Sequence, residues 1–266
     1  MTGPCPIVSV SNRKGGSGKS TTVVNLGAEW AARGAQVLVV DLDTQGHAGL
    51  GLGLRLAAAH PSAHDVFRAP GFELARAIRP TAWPGLFCAG ADPLFEAEGP
   101  RELTVLSRAL RRPEIAERFD VVLIDTPPSL DFLLLNALAA ADGVLVPVLP
   151  HALSAEGVRQ LSRLFFRIAT NENPGLRLIG VLPITMDPRV THHRTVLDEL
   201  RRQYGGQRIL RGIRKDVALA ESFASGQPAR AYAPRSRGVL DYHLLADELG
   251  TLWPPASALS QRELLA

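Results

Sequence analysis

A chain of 266 residues that is 46% hydrophobic and 21% charged has the composition of a folded protein, which excludes disorder as its main state. Its two cysteines, Cys5 and Cys88, stand far apart, so we expect neither a disulfide framework nor a cysteine metal site and place the protein in the cytoplasm. We expect no membrane association, because no apolar run approaches the roughly 18 residues that a span needs.

Charge is distributed unevenly along the chain. The total is +3, but residues 1–150 carry a net charge of −2 and residues 151–266 carry +5. This basic surplus favours contact with a polyanion, or a solvated surface. Among 29 basic residues only three are lysines, and two of them, Lys14 and Lys19, stand in one short stretch. That stretch is therefore a candidate for chemistry that needs a compact ammonium group.

Apolar runs and helical patterns alternate along the chain. We predict strands at residues 6–11, 36–41, 86–89, 120–125, 143–148 and 176–182. We predict helices at residues 19–33, between Pro100 and Pro113, and at residues 130–141, 153–170, 216–225 and 237–250. Residues 60–100 are rich in Pro, Gly and Ala, and apart from the short strand at residues 86–89 we predict no element there. Continuous apolar strands separated by helices predict the α/β class: a doubly wound, mostly parallel sheet with helices on both faces.

The predicted elements form one unit without a dividing linker. We expect a single domain over residues 1–254 and a short tail over residues 255–266. Because the first strand begins at residue 6, we expect no N-terminal helix-turn-helix domain.

A glycine-rich loop connects the first predicted strand to the first helix. It reads Lys14, Gly15, Gly16, Ser17, Gly18, Lys19, Ser20, Thr21. The phosphate-binding consensus GxxxxGK[ST] requires glycine where this chain has Arg13, so the pattern fails by one residue. The glycines still allow backbone N–H groups to converge on an anion, and the helix directs its positive end at the same place. The alternative, an ordinary glycine-rich turn, is disfavoured by the flanking strand and helix.

This loop predicts a nucleotide phosphate site. Lys19 would reach the β- and γ-phosphates, Ser20 would ligate Mg²⁺, and Thr21 would donate to the α-phosphate. Adenine is favoured over guanine, because no NKxD segment stands where the chain has Thr185 and its neighbours.

The loop and four later blocks, in the same order, resemble the ParA/MinD group of P-loop ATPases, and in particular its ParA (Soj-like) DNA-partition members. The later blocks are VVDLDTQGHAGLGLG at residues 39–53, residues 119–148, GVLPITMDPRVTH at residues 180–192, and residues 213–238. The likeness covers nearly the whole chain and implies a Mg-ATPase that uses ATP and Mg²⁺.

The resemblance also implies roles for single residues. Lys14 would reach across an ATP-dependent homodimer to phosphates bound by the partner subunit. Asp43 would position the attacking water, with Asp41 as its rival and as a further candidate metal ligand. Asp125 would hold Mg²⁺ through a water. From the residues alone, a structural role in a helix cap or a loop turn is as plausible for each carboxylate as a functional role. Their places at strand ends favour the functional role.

For the basic C-terminal third the resemblance implies non-specific double-stranded DNA as a partner, on the nucleoid, together with a ParB-type centromere-binding protein that stimulates slow ATP hydrolysis. The cargo would be a chromosome or a plasmid. The candidate DNA contacts are Arg189, Arg194, Arg202, Arg211, Arg214, Lys215, Arg235 and Arg237. Two alternatives stay open: a MinD-like positioning ATPase that acts on a membrane or protein partner, and a metabolic ATP-dependent ligase.

Overall fold

A computed structural model describes residues 5–54, 60–96, 102–129, 131–151, 154–187 and 189–253. These residues contain seven strands: β1 (Ile7–Val10), β2 (Val37–Asp41), β3 (Ile78–Pro80), β4 (Leu86–Ala89), β5 (Val121–Asp125), β6 (Gly143–Val148) and β7 (Arg177–Pro183). They form one sheet of order β3-β4-β2-β5-β1-β6-β7. All neighbours are parallel except β3, which runs antiparallel to β4.

Helices cover both faces of this sheet. They are α1 (Lys19–Ala32), α2 (His47–Gly51), α3 (Asp65–Arg68), α4 (Val105–Leu110), α5 (Pro113–Ala116), α6 (Phe132–Ala140), α7 (Ser154–Asn171), α8 (Thr191–Tyr204), α9 (Val217–Ala224), α10 (Ala229–Tyr232) and α11 (Arg237–Leu252). Two short 3₁₀ helices lie at Leu74–Ala77 and Gly206–Arg208. Within the described ranges, no helix is long and apolar enough to cross a membrane.

The buried side chains form two hydrophobic clusters, one on each face of the sheet. Alternate residues of a strand enter different clusters: Leu38 packs with Leu134 of α6, whereas Val39 packs with Trp30 of α1 and Tyr242 of α11. Burial of both strand faces explains why the strands are continuous apolar runs. The predicted fold class, a doubly wound sheet between two helical layers, is confirmed.

The predicted elements differ from the structure where local patterns are short. The helix predicted to open at Pro100 begins instead at Val105, and Pro113 opens a separate helix, α5. Strand β3 was not predicted, because three residues ending in proline carry no detectable periodicity and proline suits an edge strand. The predicted tail, residues 255–266, lies outside the described residues.

Three central strands end at the same level and thereby position the site. Asp41 at the end of β2 pairs in register with Asp125 at the end of β5, and Val10 of β1 pairs with the same Asp125. The loops that follow these strands therefore meet at one edge of the sheet, where doubly wound sheets bind their ligands.

Two glycines provide a matched test of this packing. Gly34 and Gly85 both have positive φ, 84° and 79°, but an added Cβ would meet nothing within 4 Å at Gly34 and would lie 2.7 Å from the carbonyl oxygen of Ala35 at Gly85. Each change to alanine should cost about 1 kcal/mol for the left-handed backbone. Gly85→Ala should cost at least about 1 kcal/mol more, because backbone must move. Urea denaturation measures both losses, and equal losses would contradict this packing.

Candidate functional site

The glycine-rich loop lies between β1 and α1 and is fixed at its front by Asn12. The Asn12 amide nitrogen donates to the carbonyl of Pro147 at 2.7 Å, and its amide oxygen accepts the N–H of Lys14 at 3.0 Å. Arg13, at the position where the consensus has glycine, donates to Gln160 of α7 at 2.7 Å. Arg13, which replaces the consensus glycine, therefore holds the loop through its contact with Gln160. The Lys14 side chain is exposed.

The end of the loop turns directly into α1. Gly16 and Gly18 have φ of 69° and 78°, a conformation that glycine adopts without strain. An added Cβ at Gly18 would collide with the side chain of Ile184. The N–H of Thr22 already bonds the carbonyl of Gly18, which closes the first helical turn, so the N–H groups that precede Thr22 at the start of α1 remain for an anion.

The loop forms one wall of a cavity of about 330 Å³. Its lining comprises residues 15–21 together with Asp43, Gln45, His47, Pro128 and Phe223. The structure therefore brings Gly15 to Thr21 of the predicted phosphate loop together with Asp43 around one cavity, whereas Lys14 does not line it. Gln45, His47, Pro128 and Phe223 were not predicted as site residues, because they lie on three separate segments that no single motif connects.

Ser17 lines this cavity, and Asp125 lies beside its lining residues Lys19, Ser20 and Asp43. The Ser17 hydroxyl is buried and has no hydrogen-bond partner among the described residues, and the buried Asp125 oxygens have the Ser20 hydroxyl and the Thr126 N–H close by without a hydrogen bond of good geometry. Buried polar atoms are almost always bonded, and an exception in a native protein points to a water, an ion or a ligand. A magnesium ion and phosphate oxygens would satisfy these atoms.

The pKa shifts of the charged groups in the site also favour a bound cation. Burial raises the pKa of Asp125 to about 7, although the neighbouring Ser20 hydroxyl and Lys19 ammonium lower it in part. Burial likewise lowers the pKa of Lys19, and the Asp125 and Asp43 carboxylates partly offset that effect. Burial thus disfavours the ionised forms of these carboxyl groups, and a divalent cation bound beside them would stabilise those forms.

The donor set suits Mg²⁺ rather than a cation held by protein ligands alone. In the described part of the chain there is no group of three or more His, Cys, Asp or Glu residues arranged to bind a metal. Mg²⁺ typically keeps several waters and binds one or two protein oxygens together with substrate phosphates. The Ser20 hydroxyl and the Asp125 carboxylate match that pattern.

Asp41 and Asp43 occupy different environments. Asp41 is fully buried, and its two oxygens accept the N–H groups of Asp43 at 3.2 Å and Gly49 at 3.0 Å. Burial, followed by the charge of Asp125, raises its pKa well above the ordinary range. Asp43 accepts one bond from the N–H of Gln45 and lines the cavity. The Asp41 side chain therefore holds the loop after β2 through these two hydrogen bonds, whereas the Asp43 side chain lines the cavity of about 330 Å³.

A second cavity of about 530 Å³ adjoins the loop. It lies beside Gly16, Gly18 and Thr21, and segments around Thr185 and residues 213–220 form its other walls. Thr185 has φ of 54°, the one non-glycine residue with positive φ in the described ranges. A β-branched residue in that conformation is strained, and such strain concentrates at functional sites. No sequence pattern predicts this cavity, because segments far apart in the chain form its walls.

Seven of the predicted DNA contacts are exposed side chains: Arg189, Arg194, Arg202, Arg211, Lys215, Arg235 and Arg237. They lie on and around α8, on the segment before α9, and at the start of α11. Arg189 is 89% exposed and pairs with Asp187, whose pKa this pair lowers to about 2.

Arg214 differs from the other predicted contacts. Its Nε and Nη2 donate to both oxygens of the buried Asp241 at 2.8 to 3.1 Å, and its backbone N–H donates to the same carboxylate. The side chain also lines the second cavity. Its charge is thus largely engaged within the protein, which disfavours Arg214 as a surface contact and favours a structural role.

Comparisons with known proteins support a common family. A family model described as an AAA domain matches residues 5–178. The chromosome-partitioning ATPase Soj of Thermus thermophilus is 38% identical over 249 residues, which cover 91% of this chain and 94% of that protein. The structure of cobyrinic acid a,c-diamide synthase from Mycobacterium smegmatis with ADP and magnesium is 32% identical, covers 96% of both chains and has a TM-score of 0.78.

One more distant structure shares the fold. The cell division ATPase MinD of Pyrococcus furiosus is 24% identical, covers 93% of this chain and 99% of its own, and has a TM-score of 0.76.

The raised pKa of Asp125 predicts a pH-dependent stability. Because the folded-state pKa lies above the unfolded value of about 3.9, stability is lost as the pH rises from about 4 through about 7. Without nucleotide, Asp125→Asn should match the wild type at pH 4 and exceed it by about 2–4 kcal/mol at pH 8. Urea denaturation at both pH values measures this gap, with Asp198→Asn on the exposed face of α8 as control. A gap of the same size at both pH values would contradict the assignment.

Proposed function

The chain belongs to the ParA/MinD family of P-loop ATPases, and from this premise we propose that it hydrolyses ATP and binds non-specific double-stranded DNA as an ATP-bound homodimer. With a ParB-type partner it would drive chromosome or plasmid partition, in the cytoplasm and on the nucleoid. The observation that carries the proposal is the cavity of about 330 Å³, which Lys19, Asp43 and the unpartnered Ser17 hydroxyl line, next to the buried carboxylate of Asp125.

ATP would occupy the two adjoining cavities. Its phosphates fit against residues 15–21, where Lys19 supplies positive charge and the Thr21 hydroxyl and backbone N–H groups donate. Its base and ribose fit the second cavity beside Thr185. Ser20, and Asp125 through a water, would hold Mg²⁺, which neutralises phosphate charge when bound.

Hydrolysis would depend on two residues at the edge of the phosphate cavity. Asp43 would orient the attacking water, since it lines the cavity and follows β2 directly. Lys14 is exposed at the front of the loop, where its ammonium can reach a neighbouring subunit. A cation added across a dimer would stabilise charge on the transferring phosphoryl group. Turnover by the protein alone would therefore be slow and would increase with a partner that stabilises the closed dimer.

DNA binding would use the exposed basic residues around α8 and at the start of α11. These arginines carry the charge surplus of the last third of the chain. The name of the Thermus relative, a chromosome-partitioning ATPase, supports a role with DNA. Affinity should fall steeply with salt, because each neutralised phosphate releases counterions.

A metabolic synthase is the second candidate, since the cobyrinic acid a,c-diamide synthase is 32% identical over almost the whole chain. Phosphate release that requires a small-molecule acceptor and ignores DNA would favour it over partition.

Substitution of the two carboxylates after β2 tests the hydrolytic mechanism. Asp43→Ala should leave ATP binding and dimerisation intact but lower phosphate release at least ~100-fold, because the attacking water loses its orienting base. Asp41→Ala should instead lower the melting temperature, because the N–H groups of Asp43 and Gly49 lose their acceptor. Phosphate-release assays and thermal melts separate the two, and wild-type turnover by Asp43→Ala would contradict the assignment.

Charge reversal at two arginines tests the DNA surface. Arg189→Glu should weaken DNA binding and lower the slope of log affinity against log salt by about 1, without change in ATP affinity. Arg76→Glu is the matched control, because Arg76 is also exposed but lies before β3, at the opposite edge of the sheet from β7 and α8. Fluorescence anisotropy with duplex DNA measures both, and equal effects of the two variants would remove Arg189 from the surface.

A further inference from the structure

Helix α1 carries a row of buried polar side chains that ATP hydrolysis does not use. Thr22, Asn25, Glu29 and Arg33 follow one another at intervals of three or four residues, so they lie on one face of the helix. Their exposed fractions are 0%, 4%, 1% and 3%. Buried polar groups destabilise a fold unless they are bonded, so a row of four on one helix calls for specific partners.

All four side chains contact the C-terminal helices. The Asn25 amide oxygen accepts the N–H of Ala229 at 2.8 Å, and the Thr22 hydroxyl lies 3.4 Å from the Tyr242 hydroxyl. Glu29 Oε2 accepts a hydrogen bond from Arg230 at 2.9 Å and lies 3.4 Å from His243 Nδ1, and Arg33 donates to Asp247 at 2.7 Å and to the carbonyl of His243 at 2.9 Å.

The partners of this row lie before and after the segment that carries Arg235 and Arg237. Ala229 and Arg230 precede Arg235 and Arg237, and residues 242–247 follow them. The other end of the row reaches the phosphate loop, because Asn25 also donates to the carbonyl of Thr21 at 2.9 Å. One helix face therefore connects the last residue of the loop to both ends of the segment that carries Arg235 and Arg237.

We propose that Glu29 is a positioning residue that fixes residues 229–243 to α1, so that nucleotide binding at the loop orders the segment with Arg235 and Arg237. Directional polar contacts hold one arrangement of two elements, whereas an apolar contact tolerates sliding. Glu29 lies at the centre of the row and joins α1 to both α10 and α11. The consequence for DNA rests on the proposed function, but the ordering of the segment does not require DNA.

Hydrogen exchange on the full chain tests the inference. In the wild type, a non-hydrolysable ATP analogue with Mg²⁺ should slow amide exchange of residues 229–243 at least tenfold, together with that of the loop. Glu29→Gln keeps the size of the side chain and removes its charge. It should bind the analogue within twofold of wild-type affinity and retain protection of the loop, but lose the protection of residues 229–243.

Two further variants keep the test decisive. Asn25→Ala should act in the same direction, because the N–H of Ala229 loses its acceptor, and it replaces Glu29→Gln if that variant does not fold. Glu114→Gln, an exposed change on α5, should behave as wild type. Nucleotide-dependent protection of residues 229–243 that persists in both Glu29→Gln and Asn25→Ala, or that is missing in the wild type, would overturn the inference. A lower melting temperature with full protection would also overturn it, since that indicates a purely structural role.

A DNA-binding assay separates this inference from the proposed function. The ratio of DNA affinity with the ATP analogue to that with ADP should be large in the wild type and approach one in Glu29→Gln. If the wild type binds no DNA with either nucleotide, the proposed function fails, while the exchange experiment still decides the role of Glu29.

Discussion

The site depends on buried carboxyl groups whose ionised forms the protein does not fully stabilise by itself. Adjacent parallel strands place Asp41 and Asp125 side by side at one edge of the sheet, and Lys19 is the neighbouring cation. Burial raises the pKa of both carboxyl groups, and the Ser20 hydroxyl and Lys19 ammonium offset that effect only in part at Asp125. A site of this kind is most stable when a cation and phosphate oxygens complete it, so its chemistry is tied to ligand binding.

The same edge of the sheet connects the ligand to the rest of the molecule. Helix α1 begins at Lys19, inside the phosphate loop, and its buried polar face reaches α10 and α11. Segment 43–53, which carries Asp43, packs closely against α9, since a Cβ at Gly51 would lie 2.6 Å from the Phe223 ring. The glycine-rich loop and Asp43 are therefore one helix or one loop away from the basic C-terminal third.

Much of the fold was predictable, and so was the position of the glycine-rich loop between β1 and α1, because both depend on local patterns. Continuous apolar runs identified the long strands, and the spacing of Gly15 to Lys19 identified the loop. Features formed by distant segments were not predictable. The Arg214–Asp241 pair and the contacts of Glu29 join residues 27 and 201 positions apart, and no periodicity reveals them. The positive φ of Thr185 likewise was not predicted, because its side chain is not of a type that favours that conformation.

The most direct test measures the mass of the purified protein and its DNA binding in parallel, with ADP and with a non-hydrolysable ATP analogue, each at low and moderate salt. The account predicts a dimer and salt-sensitive DNA binding with the analogue, and a monomer with little DNA affinity with ADP. A dimer that forms with the analogue but is indifferent to DNA would contradict the partition function and favour a MinD-like positioning ATPase.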